Sequence, residues 1–208
     1  MTRTDKTNPL ARRLAARKNQ KGYSIIELSI ALAIVSIILV TALTGVQRIL
    51  RSNKVNEDLK GLNLAASKIG VMLSNVQTTT GITQGNLVAL RVFEDFRVNT
   101  ATNTVTNAFG GNITVAPNTN ALGTVPAEGG LIIYSSAIPP EVCSDYISGL
   151  APISSHISAT SAAAPAVNGG VYADVVKTNL APITIAGLAT ACTAAAGQTI
   201  TVAALVTK

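Results

Sequence analysis

A run of twenty uncharged residues, from Leu28 to Gln47, most constrains how this chain can fold. Isoleucine, leucine, valine and alanine dominate the run. As an α-helix it would be about 30 Å long, which matches the hydrocarbon core of a bilayer. A core helix of a soluble domain typically has a shorter apolar stretch, of about ten to fourteen residues. We therefore expect a membrane-spanning helix near the N-terminus.

The net charge of the chain is concentrated before this run. Residues 1–22 contain seven of the sixteen lysines and arginines and one aspartate, which accounts for the whole formal net charge of +6. The rest of the chain is balanced and offers no basic patch to phosphates, so we predict no nucleic-acid binding. Basic residues before a membrane helix keep the N-terminus cytoplasmic and direct the residues after Arg48 across the membrane. An ordinary secretory signal fits poorly, because the apolar run is long and polar helix follows it without a break.

A carboxylate, Glu27, lies just inside the apolar segment. An ionisable side chain in a membrane helix costs up to a few kcal/mol, so it is by default a candidate functional residue. The alternative is a glutamate at the level of the lipid headgroups. The sequence around Glu27 decides which interpretation is favoured.

Beyond Arg48 the sequence predicts that the helix continues with one apolar face. Apolar residues recur at alternating steps of three and four, and the polar residues, Asp58 among them, fall largely on other faces. No proline interrupts residues 23–76, so one long helix is expected, with bends or local melting at Gly45, Gly61 and Gly70. A coiled-coil dimer is the alternative to packing on the domain that follows. The apolar face consists of Val55, Leu59, Leu62, Ala66, Ile69, Leu73 and Val76.

The residues after Thr78 have the composition of a sheet domain, with short β-prone segments between glycine and proline turns. Residues Pro140 to Leu150 predict a short helix, and the Ala/Ser/Thr-rich stretch 154–166 predicts an exposed loop. The fold class is therefore α+β, a long N-terminal helix packed on a mostly antiparallel sheet. The predicted strands are Leu87–Val92, Ile113–Ala116, Leu131–Ser135, Val171–Val176 and Ile200–Val206.

The segment Lys21-Gly22-Tyr23-Ser24-Ile25-Ile26-Glu27-Leu28, with the apolar run after it, resembles the class III signal of type IV prepilins. The resemblance implies that a prepilin peptidase cuts after Gly22 and that the new N-terminal residue, Tyr23, is N-methylated. Glu27 is then the fifth residue of the mature chain, as in that family. A leader of 22 residues and a first residue other than phenylalanine resemble the type IVb subclass.

The two cysteines, Cys143 and Cys192, lie on the translocated side, where disulfides form and persist. A metal site would need more ligands, and a redox pair is more often Cys-x-x-Cys, so a structural disulfide is favoured. Type IVb pilins carry a C-terminal disulfide that encloses a variable region, followed by a closing strand. The resemblance implies the same arrangement here, with a disulfide-bounded region 143–192 and the strand Ile200–Val206 after it.

No set of residues predicts catalysis, so we expect no enzyme activity, no cofactor and no metal site. His156 is the single histidine and is expected to be solvated in a loop. The pair Glu94-Asp95 suggests a calcium or catalytic site less strongly than a turn with solvated charges. Asn112-Ile113-Thr114 matches the glycosylation sequon, a short pattern that often arises by chance.

The resemblance predicts a type IVb prepilin, taken as the major subunit of a pilus. Its domains would be a leader 1–22, a helix 23–76 with a filament-core half 23–49 and an amphipathic half 50–76, and a surface domain 77–208. Before assembly it would be a single-pass inner-membrane protein, and afterwards part of an extracellular pilus.

The expected partners are copies of the chain in a helical homopolymer, the prepilin peptidase, the inner-membrane assembly machinery, and a host-cell or other bacterial surface. Glu27 would pair with the Tyr23 amine of a neighbouring subunit and fix its register. The filament would serve adhesion, aggregation or conjugative mating. The alternatives are a pseudopilin of a secretion system and a membrane-anchored periplasmic binding domain.

Overall fold

The computed structural model describes residues 24–161, 169–172, 174–195 and 197–207. The chain divides into two units, residues 1–48 and 49–208, which are described separately. One helix, α1 (Ile25–Ser74), contributes residues to both units. Helical hydrogen bonding continues through Gly45, Gly61 and Gly70, so the local melting expected at these glycines is not observed.

The second unit contains a sheet and three short helices after α1. In chain order its further elements are α2 (Gln84–Ala89), β1 (Arg97–Asn99), β2 (Thr104–Thr106), β3 (Asn112–Pro117), β4 (Gly130–Ile138), α3 (Pro140–Leu150), β5 (His156–Thr160), β6 (Asp174–Lys177), α4 (Ile185–Ala191) and β7 (Ile200–Thr207).

The seven strands form one sheet in the order β1-β2-β3-β4-β7-β5-β6, and every pairing between them is antiparallel. The last strand, β7, lies between β4 and β5, with Ile133 opposite Ala204 on one side and Ser158 opposite Ala203 on the other. The C-terminal strand therefore joins two parts of the sheet that are distant in sequence.

Both faces of the central strands are buried. On one face Leu131 and Ile133 of β4 belong to the main core, which also contains the buried residues of α1, α2 and α3. On the other face Ile132 and Tyr134 form a smaller cluster under the connecting segments, with Leu122 and Tyr172 among their neighbours. Consecutive buried residues are typical of a strand covered on both sides.

The second-unit half of α1 packs on the sheet domain as predicted. Val55, Leu62, Ala66, Ile69 and Leu73 of the predicted apolar face are buried, Leu59 is half-buried, and Val76 is exposed. One prediction for this face is wrong, because Asp58, expected among the polar residues on other faces, is 1% exposed and lies within the core.

The prediction for Leu87–Val92 is also wrong, because this segment begins in helix α2 and continues as a turn. Thr83 caps the helix by accepting a hydrogen bond from the Asn86 backbone amide. The strand predicted at Val171–Val176 begins only at Asp174. The predicted helix from Pro140 and the strands at Ile113, Leu131 and Ile200 are observed.

The stretch predicted as an exposed loop, 154–166, instead contains strand β5, and residues 162–168 lie outside the described residues. His156, predicted to be solvated, is buried in that strand opposite Leu205 of β7. The small side chains Ser158 and Ala159 are fully buried on opposite faces of β5: Ala159 belongs to the main core, and Ser158 Oγ accepts a hydrogen bond from the Tyr172 amide.

Candidate functional site

The apolar half of α1 presents large side chains around its whole circumference. Every residue from Ser24 to Leu50 is exposed in the isolated subunit. Fifteen large apolar side chains of this segment, from Ile25 to Leu50, are between 49% and 86% exposed. Four of them, Ile37 to Val40, are consecutive and therefore point in all directions around the helix. A helix that is apolar on every side requires lipid or several partner helices around it.

Among the described residues, this helix is the one that is long and apolar enough to cross a membrane. Its most apolar window has a mean hydropathy of 2.6, and none of that window is buried within the subunit.

The hydroxyl groups in this half of the helix are satisfied by the helix itself. Ser36 donates to the Ala33 carbonyl at 2.7 Å and Thr44 to the Thr41 carbonyl at 2.8 Å. Ser29 and Thr41 make equivalent bonds to carbonyls one turn before them. Such back-bonding hides polar groups from an apolar environment.

Glu27, unlike these hydroxyl groups, carries a charge that would need a partner in an apolar environment. It lies in the first turn of α1, and no ion pair joins its carboxylate to another described residue. The predicted cleavage and methylation residues, Gly22 and Tyr23, lie outside the described residues. The evidence for a processing and assembly site at Gly22, Tyr23 and Glu27 is therefore their spacing in the sequence and the exposed helix that follows them.

The structure contains the expected disulfide between Cys143 and Cys192, with Cα atoms 5.6 Å apart. Cys143 is fully buried in α3, and Cys192 directly follows the last residue of α4. The bond therefore ties together two helices that precede and follow β5 and β6, and the closing strand β7 comes after it.

A buried polar network that the sequence did not predict joins α1 to the sheet domain. Asp58 Oδ1 accepts a hydrogen bond of 2.7 Å from the Ala108 amide. The neighbouring Asn107 donates to Ser135 Oγ at 3.1 Å, and Ser135 Oγ is 2.8 Å from the Tyr146 hydroxyl. The network thus connects α1, the β2–β3 loop, β4 and α3.

The ionisation of Asp58 is unfavourable in this position. Burial raises the pKa of its carboxyl to about 6, and the Ala108 amide only partly offsets this effect. The Asp58 Oδ2 atom is buried without a hydrogen-bond partner among the described residues. Burial likewise raises the pKa of the Tyr146 hydroxyl. A buried carboxyl with one unpaired oxygen is a cost that the subunit carries at neutral pH.

The other polar residues considered in the sequence do not form a reactive site. The two ring nitrogens of His156 have no partner in the described structure, and burial lowers its pKa. Glu94 and Asp95 lie exposed in a turn, and Lys68 bonds to Glu94. Asn112 is exposed at the start of β3. Within the described ranges, no group of three His, Cys, Asp or Glu residues could hold a metal ion.

Comparison with family models identifies two segments of the chain. Residues 52–205 match the model described as PilS N terminal, and residues 17–43 match the prokaryotic N-terminal methylation motif. A comparison with curated proteins gave no match.

Solved structures of type IV pilins share the fold. The type IVb pilin from Salmonella typhi is 21% identical, with a TM-score of 0.51, over 71% of this chain and 96% of that chain. TcpA, a type IV pilin from Vibrio cholerae El Tor biotype, is 15% identical, with a TM-score of 0.54, over 74% and 98% of the two chains. At such identities the solved structures establish a shared fold. The family models establish a similarity of sequence.

Type IV pilins are structural subunits rather than enzymes; they are processed by a prepilin peptidase and self-assemble into filaments. The apolar helix with Glu27 near its start, the sheet domain with its C-terminal disulfide, and the two family matches agree with one another. The chain therefore belongs to the PilS family, carries the N-terminal methylation motif of type IV prepilins, and folds as a type IVb pilin.

Proposed function

We propose that the chain is inserted in the inner membrane as a precursor, is cut between Gly22 and Tyr23, is methylated on the Tyr23 amine, and assembles into an extracellular pilus. Residues 23–49 would form the filament core and residues 77–208 the exposed domain. The proposal also includes a pilus surface that binds a host cell or another bacterium, in adhesion, aggregation or conjugative mating.

The observation that carries this proposal is the uncovered apolar surface of residues 25–50. Each large apolar side chain there is about half exposed or more in the subunit. Burying a valine, leucine or isoleucine side chain contributes about 1.5–3 kcal/mol, so a segment with fifteen of them is not stable in water. Lipid covers them before assembly, and neighbouring copies of the same helix cover them in the filament. Because the side chains surround the helix, several copies are needed, which suits a filament better than a dimer.

Removal of the leader is what makes this exchange possible. Residues 1–22 carry the whole net charge of +6, which would hold the N-terminus at the cytoplasmic face. After the cut, the segment from Tyr23 to Gln47 carries one side-chain charge, on Glu27, and one charge on the new amine. The apolar helix can then leave lipid for an equally apolar core.

Glu27 would act as a register residue in that core. Because a carboxylate in an apolar environment is costly unless paired, a neighbouring subunit is accepted only where it places its Tyr23 amine beside Glu27. The hydroxyl groups of Ser29 and Ser36 donate to carbonyls of their own helix and do not replace this partner. Glu27 thus selects the axial position of each added subunit.

The test is Glu27→Ala in the full-length chain, expressed with its assembly machinery. We expect normal membrane insertion and normal removal of the leader, but at least a tenfold loss of sheared surface filaments, measured by immunoblot and electron microscopy. The matched control is Glu57→Ala, which removes an exposed carboxylate from the same helix. Wild-type levels of filaments in Glu27→Ala would contradict the register role. An uncleaved wild-type chain that never leaves the membrane would contradict the pilus proposal itself.

A further inference from the structure

His156 is a buried imidazole that the proposed function does not use. It is 7% exposed and is the first residue of β5, opposite Leu205 of β7. Residues directly opposite each other in a sheet share a face, so the ring lies on the face of the smaller cluster around Ile132 and Tyr134. Neither ring nitrogen has a hydrogen-bond partner among the residues that the structure describes. Such a buried, unpaired polar group is uncommon in a native fold and carries a cost.

Protonation would raise this cost further. A neutral imidazole has one donor and one acceptor, whereas an imidazolium has two donors and a full charge. Burial lowers the pKa of His156 below its ordinary value of 6.5, because the surroundings disfavour the charged form. In mildly acidic solution the ring therefore gains a proton most readily in a conformation that exposes it to water.

The strands on either side of β5 do not stabilise a charged His156. Strand β7 has no ionisable side chain between its first and last residues. In β6, Asp174 and Lys177 are opposite Ala159 and Ile157, which belong to the main core on the other face of the sheet. The Lys177 ammonium bonds to two carbonyls that follow α3.

The segments over the His156 face also bring no negative charge to the ring. The hydroxyl of Tyr172 stays neutral, because burial raises its pKa, and the Tyr172 amide bonds to Ser158. In the segment 118–129 the ionisable residue is Glu128, whose carboxylate accepts bonds from two threonine hydroxyls after α1. Desolvation is accordingly the one cause of the lowered His156 pKa.

The pairing of β5 is the weaker side of β7. Strand β7 pairs with β4 from Gly130 to Ile138, whereas β5 pairs with β7 only from His156 to Thr160. Beyond β5 lies β6, an edge strand of the described sheet. His156 is at the first position of the β5–β7 pairing, next to the 2.9 Å bond from the Ser155 amide to the Leu205 carbonyl. Opening can therefore begin at this end and leave β7 on β4.

We infer that protonation of His156 releases β5 and β6 from β7, so that this edge of the sheet opens reversibly in mildly acidic solution. The disulfide keeps the opening local, because Cys143 precedes β5 and Cys192 follows β6. Opening leaves one side of β7 unpaired, and an unpaired edge is a template for another strand. The inference concerns the subunit and does not depend on the proposed function.

The experiment is hydrogen–deuterium exchange of the full-length chain in detergent, without a histidine tag, at about pH 7.5 and about pH 5. After correction for intrinsic rates, acid should increase exchange in β5 and β6 several-fold relative to β3 and β4. The ordinary histidine pKa of 6.5 sets an upper limit of about thirtyfold on this increase. His156→Gln and His156→Leu should both abolish it, and two neutral replacements guard against one that does not fold. The matched control is Asp174→Asn, on the other face of the same edge, which should keep the wild-type response.

The wild-type chain provides a second measurement, because His156 is its single histidine and its ring resonances are identified without ambiguity. The ring should titrate below pH 6.5, over the same range in which β5 and β6 begin to exchange. Three results would overturn the inference: no acid-induced exchange in wild-type β5 and β6, the same increase in both His156 variants, or an increase confined to the connecting segments. Loss of filaments in any variant would bear on assembly and leave this test unchanged.

Discussion

The two halves of α1 belong to one helix but differ in what covers their apolar side chains. In residues 49–74 the sheet domain buries Val55, Leu62 and Ile69, each at 4% exposure or less. In residues 25–48 every residue is exposed in the described subunit. The half from residue 49 onward therefore completes the sheet domain. The apolar surface of the other half needs lipid or other copies of the helix around it.

Asp58 and Glu27, one carboxylate in each half, differ in the same way. Asp58 is buried and obtains a hydrogen bond from Ala108 of its own domain. Glu27 is exposed and has no ion-pair partner among the described residues. One acidic residue is thus used to join helix and domain within a subunit, and we propose that the other joins subunits.

The largest expected effect comes from matched leucine truncations in the two halves. Leu62→Ala should lower the free energy of unfolding of the sheet domain by about 3 kcal/mol, since Leu62 is 1% exposed and its loss leaves a cavity. Leu39→Ala, at a residue 57% exposed, should change it by less than about 0.5 kcal/mol. Denaturant unfolding of the full chain in detergent, followed by near-ultraviolet circular dichroism, measures both. Equal effects of the two substitutions would contradict the division of the helix.

A smaller effect is expected from the charge on Asp58. Its folded pKa is raised from 3.8 to about 6, so between these values the folded state binds more protons than the unfolded state. Stability contributed by this group should therefore rise as the pH falls from about 7 to about 4. Asp58 lines an open cavity with Lys54 and Phe109, so water lies close to its carboxyl. We therefore expect a gain of about 1–2 kcal/mol, less than the full shift would give.

Asp58→Asn keeps an oxygen for the Ala108 amide and should remove this gain. His156 acts in the opposite direction, because a lowered histidine pKa means that stability is lost as the pH falls below its unfolded value. Because both proteins contain His156, its contribution cancels when the free energy of unfolding of Asp58→Asn is subtracted from that of wild type at each pH. Asp145→Asn, at an exposed carboxylate of α3 that does not act on Asp58, is the control. A difference that does not vary with pH would refute the burial cost assigned to Asp58.

The smallest effect is expected from the helix glycines. A Cβ at Gly61 would lie 2.7 Å from the Phe96 ring, so Gly61→Ala should destabilise the domain by about 1 kcal/mol. Gly45 and Gly70 have nothing within 4 Å of such a Cβ. Gly70→Ala should therefore stabilise by about 0.5 kcal/mol, and Gly45→Ala should leave domain unfolding unchanged. Thermal unfolding of the three variants would test the order, and destabilisation by Gly70→Ala would contradict it.

Local patterns were sufficient to predict the helix, the strands at Ile113, Leu131 and Ile200, and the disulfide. The prediction was wrong where a distant residue decided the outcome. Asp58 is buried because a backbone amide fifty residues later bonds to it. His156 is buried in β5, a strand whose pairing with β7 no local composition indicates.

The misassigned strand at Leu87–Val92 has a related cause. Its β-prone residues are overridden by the Thr83 cap and by the bonds of Gln84 to the backbone of β3. The candidate assembly residues Gly22, Tyr23 and Glu27 stay predictions, and they come from a short motif whose spacing is read along the chain.

The central claim is that the uncovered half of α1 is processed at its start and then buried among copies of itself. The most direct measurement is the intact mass of protein sheared from cell surfaces, taken with and without reductant. The account predicts the mass of Tyr23–Lys208 plus one methyl group, lighter by two hydrogen atoms before reduction. A full-length mass that retains the leader and is found only in membranes would contradict it.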